Sequence, residues 1–156
     1  GYSDTDKGST KMFSVIRQNA LFYGKGINGF VDVRDVVRAM TGLMESNIRN
    51  ERFVVSAGDF TYREVFTLIA RGFGKSDPKI ALPDFLLNVT WRLEWLRSKL
   101  TGARPLITRE TARTSKGSFY YSSKKLHCTL NFEYTPIEKT ISRTCRLISE
   151  DIKNSR

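Results

Sequence analysis

Gly29-Phe-Val-Asp-Val-Arg-Asp-Val-Val-Arg-Ala-Met40 changes its period partway through, and that change decides the fold class. Gly29 to Val33 reads as a strand, with the aliphatic side chains on one face and Phe30 and Asp32 on the other. From about Arg34 to Glu45 the spacing turns helical, and Val36, Val37, Met40, Leu43 and Met44 mark a stripe expected to be buried. Asp35 falls in the first helical turn, where a carboxylate stabilises the N-terminal end of the helix dipole.

Working outward, the same alternation of strand and helix continues. Arg52-Phe-Val-Val-Ser56 reads as a strand whose consecutive apolar residues predict burial on both faces. Thr61-x-x-Glu64 is a capping box that opens a helix to about Arg71, with Val65, Leu68 and Ile69 facing inward and Gly72 and Gly74 ending it. Lys79-Ile-Ala-Leu82 suits a short strand. Pro83 opens a long helix, with Leu86, Val89, Leu93, Leu96 and Leu100 on one seam and Trp91 and Trp95 calling for cover on another side. A shorter helix is expected from Arg109 to Ser115. Near the end Thr135 and Glu138 form a second capping box around Pro136, and Ile137, Ile141, Cys145 and Ile148 line the last helix. Upstream, a helix begins at Ser9 with Met12, Phe13 and Ile16 on one side, and Asn19 to Gly29 is rich in turn residues. The outcome is an α/β chain, mostly helical, with two or three short strands. That is too few for a self-contained sheet, and a strand as apolar as Phe53-Val-Val55 wants neighbours on both sides.

Composition narrows the function classes. The chain has 156 residues, 40% of them hydrophobic and 12% aromatic, which excludes a disordered chain. No apolar run is long enough for a membrane span, and the polar opening, Gly-Tyr-Ser-Asp-Thr-Asp-Lys-Gly-Ser9, does not read as a signal peptide. Cys128 and Cys145 without a C-x-x-C suit a reducing compartment, so a cytoplasmic location is expected; the single histidine, His127, cannot supply a multi-histidine metal site. The net charge of +10 is concentrated between Arg92 and Lys125, where nine basic residues face Glu94 and Glu110. Such a stretch can hold phosphates or another anion, or be a solvated basic face. With Trp91, Trp95, Phe119, Tyr120 and Tyr121 nearby, it also admits an alternative function, a small nucleic-acid-binding module.

Three short motifs spell known chemistry without its context. Gly24-Lys-Gly26-Ile-Asn-Gly29 matches the G-x-G-x-x-G of a dinucleotide-binding turn, but a strand follows the glycines where a helix N-terminus should open. Tyr120-x-x-x-Lys124 and Tyr121-x-x-x-Lys125 match a catalytic Tyr/Lys pair, which needs one helical turn, whereas Ser118 to Tyr121 looks extended. His127 and Cys128 are adjacent and therefore poorly placed to act on one another, and Cys145 falls on an apolar helix stripe.

The landmarks taken in order resemble a family. Gly29 to Met40, Arg52 to Gly58, Thr61 to Ala70, and Tyr121-Ser-Ser-Lys124 followed by Leu130-Asn-Phe132 and Thr135-Pro136 resemble, in sequence, elements of the extended short-chain dehydrogenases/reductases. This is the NAD-dependent epimerase/dehydratase superfamily, with its dihydroflavonol-reductase-like members. Gly1 to Phe13 resembles the family's loop and the helix after it. Asn28 stands where relatives acting on nucleotide sugars often carry arginine, and Tyr121 or Ser122 replaces the aspartate of the closing signature.

The resemblance implies that residues 1–156 correspond to the C-terminal, substrate-binding region of a Rossmann-type enzyme, with the N-terminal NAD(P)-binding domain absent. It implies a parent acting at a hydroxyl or ketone carbon with NAD or NADP, while the chain itself binds no cofactor and is inactive. Its expected partners are the missing Rossmann domain and a small-molecule substrate, with no membrane or nucleic acid. Exposed apolar surface would favour self-association. Ser9, Met12 and Phe13 are the expected substrate contacts on the cleft wall, and Arg104, Arg109 and Arg113 are candidates for an anionic group.

Overall fold

The computed structural model describes residues 9–19, 22–83 and 117–154. Among them the chain is mixed α/β, with helices α1 (Thr10–Arg17), α2 (Val33–Glu45), α3 (Tyr62–Gly72), α4 (Lys124–Leu130) and α5 (Ile137–Asn154). Four short strands accompany them: β1 (Phe22–Tyr23), β2 (Ile27–Phe30), β3 (Gly58–Thr61) and β4 (Ile80–Ala81). β1 pairs in parallel with β4, and β2 pairs antiparallel with β3 in the register Ile27 to Thr61 and Phe30 to Gly58. Ile27 also bridges to Ser118, so β2 is held from both edges at its start. The helices expected from Pro83 to Leu100 and from Arg109 to Ser115 lie largely or wholly outside the described residues.

The main core sits between α1, α3 and α5. Phe13 and Ile16 meet Val65, Ile69 and Ala70, and Ile137, Ile141, Cys145 and Ile148 close over them. The inward positions that the spacing predicts for α1, α3 and α5 are all here, with Met12 and Leu68 only partly buried. The α3 capping box forms in full: the Thr61 hydroxyl accepts from the Glu64 backbone N–H at 3.1 Å, and the Glu64 carboxylate accepts from the Thr61 N–H at 2.8 Å. A Cβ added at Gly72 would come within 2.7 Å of the Cys145 sulfur, so the close approach of α3 to α5 requires glycine there. Gly74 takes φ +65°, which stops the helix.

A smaller core joins Ala39 of α2 to Leu126 of α4 and to Phe132, with Phe53, Val55 and Tyr134 packed around it. Arg38 covers the Phe132 ring at 4.8 Å and donates to the Glu133 carbonyl at 2.8 Å. α4 has no counterpart in the sequence reading. It ends at Asn131, whose φ of 48° is left-handed, a conformation asparagine tolerates better than most residues.

Several sequence expectations are corrected. The strand near Gly29 runs from Ile27 to Phe30 and stops early because Asp32 caps α2, its carboxylate accepting from the Arg34 N–H at 2.9 Å. The segment read as turns from Asn19 to Gly29 therefore contains β1 and most of β2. Arg52 to Ser56 forms no strand among the described residues, since it has no ladder partner there. The α2 stripe is largely uncovered: Val37, Met40 and Met44 are exposed, as is Val33, while Val36 and Leu43 are half-buried. Thr135 gives its backbone N–H and hydroxyl to Asp35, at 2.7 and 2.9 Å, and Arg38 adds a third bond at 2.7 Å. Asp35 is thus a buried latch between α2 and the entry to α5, beyond the dipole role its position suggests.

Candidate functional site

A cleft of about 480 Å³ opens where α1, the start of α2 and α5 converge. Ser9, Thr10, Met12 and Phe13 form one wall; Phe30, Val65, Ile137 and Ile141 supply apolar surface, and Asp32, Arg34, Thr140 and Arg143 supply its polar group. Its size and its mixture of apolar wall with a few convergent polar groups are those of a small-molecule site.

The polar group is built on Asp32, which is 1% exposed. One carboxylate oxygen, Oδ1, accepts from the backbone N–H and Nε of Arg34 at 2.9 and 3.3 Å. The other, Oδ2, accepts from Arg34 Nη2 at 3.2 Å, Thr140 Oγ1 at 2.8 Å and Arg143 Nη2 at 2.6 Å. Burial alone would raise the Asp32 pKa. The Arg34 N–H, the Thr140 hydroxyl and the Arg34 guanidinium outweigh it and hold the carboxyl below its ordinary value. A carboxylate so saturated stays ionised near neutral pH and has little capacity to relay a proton. Among the described residues the cleft lining holds no histidine, cysteine or tyrosine, and Asp32 is its one carboxylate. A shallower depression on the outer face of α5, bounded by Glu138, Lys139, Ser142 and Arg146, shares Arg143 with it.

Ser9, Met12 and Phe13 come together in this one cleft. Arg104, Arg109 and Arg113 lie outside the described residues, as do Trp91, Trp95 and the basic stretch as far as Lys116. At its described end Lys125 pairs with Glu51 and sits over the Phe53 ring at 4.8 Å, while Phe119, Tyr120 and Tyr121 are exposed. Arg34, Thr140 and Arg143 are additional. Asp32 directly before a helical pattern signals a cap, and with it Arg34. Nothing in sequence links Asp32 to Arg143, 111 positions away.

The other motifs resolve structurally. Gly24 to Gly26 join β1 to β2 and Ile27 to Gly29 lie in β2, with no helix opening inside the motif. Tyr120 and Tyr121 precede α4, which starts at Lys124, so neither Tyr/Lys pair shares a helical turn; the Tyr121 N–H donates to the Asp59 carboxylate at 3.1 Å. His127 Nδ1 is 2.8 Å from the Phe132 carbonyl, Cys128 is exposed, and burial pushes the Cys145 thiol up to about 11. Among the described residues no group of histidine, cysteine or acidic side chains could hold a metal ion, and no helix is long and apolar enough to cross a membrane.

No protein-family model matches the chain, and no curated protein matches it. Among solved structures, the fold is similar to the crystal structure of gox2253, with a TM-score of 0.70 at 18% sequence identity. The likeness covers 96% of this chain and 46% of that one, so the chain spans less than half the length of this structural neighbour.

Proposed function

We propose that residues 1–156 are the substrate-binding portion of an NAD(P)-dependent epimerase, dehydratase or reductase of the extended short-chain dehydrogenase/reductase superfamily. The observation that carries this reading is that Ser9, Met12 and Phe13 line a single cleft with an apolar wall and a polar group whose carboxylate, Asp32, is fully engaged by Arg34, Thr140 and Arg143. A site that binds without reacting is what a substrate half needs when hydride transfer and proton exchange are supplied by another domain. Two further observations support it: Arg52 to Ser56 lacks a ladder partner among the described residues, and α2 exposes Val33, Val37, Met40 and Met44. An upstream Rossmann-type half would supply the sheet for the first and cover for the second. NAD or NADP would belong to that half, and the substrate's reacting carbon would face it from the cleft.

NADPH titration followed by fluorescence tests the reading. The chain alone is expected to show no micromolar binding, and a polypeptide extended by the coding sequence upstream of Gly1 is expected to bind. Micromolar binding by residues 1–156 alone, or an upstream sequence without a strand, glycine-rich turn and helix, overturns it.

A further inference from the structure

We propose that this cleft recognises a ligand with an anionic head on an apolar body, the head held by Arg34 and Arg143 and the body lying against Met12, Phe13 and Phe30. The inference rests on reading the cleft as the substrate site. It places an anion contact on Arg34 and Arg143, residues brought together only by folding.

Among the described residues, two guanidiniums and one buried carboxylate leave one surplus positive charge at the cleft. The neighbouring latch shows what charge matching looks like here: Asp35 pairs with one arginine, Arg38, and takes its remaining bonds from Thr135. At Asp32 the second arginine has no second acid among the described residues. Arg143 bonds only to Asp32 among the described residues, and its side chain is 27% exposed. The terminal nitrogens of Arg34 and Arg143 converge on the same oxygen, Oδ2, which holds both planar forks in place before any ligand arrives. Arg34 uses Nε and Nη2 on Asp32, and Arg143 uses Nη2, so each keeps donors for another acceptor. Fixed guanidiniums beside an apolar wall suit a carboxylate or phosphate, since little is lost in ordering them and water competes less.

The test is calorimetric titration of the full chain with 4-phenylbutyrate, phenyl phosphate and the neutral 4-phenylbutanamide. At least one anion is expected to bind about tenfold more tightly than the amide, as one charge-assisted hydrogen bond allows. The tighter of the two anions identifies carboxylate or phosphate as the head. Arg34→Gln leaves the bonds of Arg143 and Thr140 to Asp32 in place, and is expected to weaken the anion about fivefold or more while leaving the amide unchanged. Arg143→Gln should also abolish the preference; its thermal melt shows whether it folds, and Arg34→Gln decides the matter if it does not. Equal binding of anion and amide, no binding of any probe, or an anion affinity untouched by Arg34→Gln overturns the proposal. If these fail while the upstream-extended polypeptide still binds NADPH, the ligand class is wrong and the enzyme reading stands. If the anions bind and NADPH does not, the enzyme reading fails and the site remains.

Discussion

On α5, Ile137, Ile141, Cys145 and Ile148 are each 5% exposed or less; on α2, Val33, Val37, Met40 and Met44 stand between 57% and 79% exposed. Both sets repeat at helical spacing, and nothing in their residue types separates them. The difference lies in what each helix meets. α5 lies against α3, which offers Val65 and Ile69 and, at Gly72, a gap that the Cys145 sulfur fills. α2 spends its opposite side on Ala39 and Leu43, packed toward α4 and Phe132, and its second apolar face is left over. An apolar stripe therefore reports that a helix is made to be covered. It does not report that the cover lies among the residues around it.

The sharpest way to break this comparison is to truncate both faces. Ile141→Ala removes a fully packed side chain and is expected to cost about 3–4 kcal/mol in urea denaturation. Met40→Ala, on the open face, should stay within about 0.5 kcal/mol of the parent. Similar losses at the two positions would mean that the α2 stripe is packed after all.

The next effect concerns the polar anchor between the two helices. Asp32→Asn leaves Arg143 and Arg34 facing a neutral amide and should cost about 2 kcal/mol at neutral pH. The sign with pH follows from the depressed carboxyl. Its contribution is complete above the unfolded pKa, about 4, and is lost as pH falls through the lower folded value. Below about pH 4 the parent chain should lose stability more steeply than Asp32→Asn, and the gap between them should narrow. Parallel pH curves would show that Asp32 does not carry its charge in the fold.

How much was legible in sequence follows the same division. Where an element signals and packs locally, the residues announce it: the Thr61/Glu64 box, the stop at Gly74, and the α1 and α5 stripes, with Phe13 and Ile16 on one side of α1. Where the partner is distant, they do not. Val33 reads as the end of a strand until Asp32 is recognised as a cap, and Asp35 and Thr135 look like two separate helix starts although they bond to one another across 100 positions. Arg52 to Ser56 has every compositional mark of a strand, yet a strand exists only with a ladder partner, which composition cannot supply. The Asp32 cluster was half-legible for the same reason. Arg34 is two residues away, while Thr140 and Arg143 arrive on another helix.

The smallest effect on stability gives the finest probe of the two faces. Cys128 is exposed and Cys145 lies on the buried α5 stripe, its thiol pushed up by burial to about 11. A thiol reagent at neutral pH should therefore modify one cysteine at once, and the second only at the rate of opening, because thiolate and access are both needed. Met44→Cys places a third thiol on the α2 stripe at its most exposed position, 79%. With little packing to lose there, stability should change by less than about 0.5 kcal/mol. At low protein concentration this thiol should label as fast as Cys128. If labelling slows as concentration rises while Cys128 keeps its rate, copies of the chain are covering the stripe, as the exposed apolar surface leads one to expect. If it is slow at every concentration, the face is closed within the single chain, and the contrast between α2 and α5 disappears.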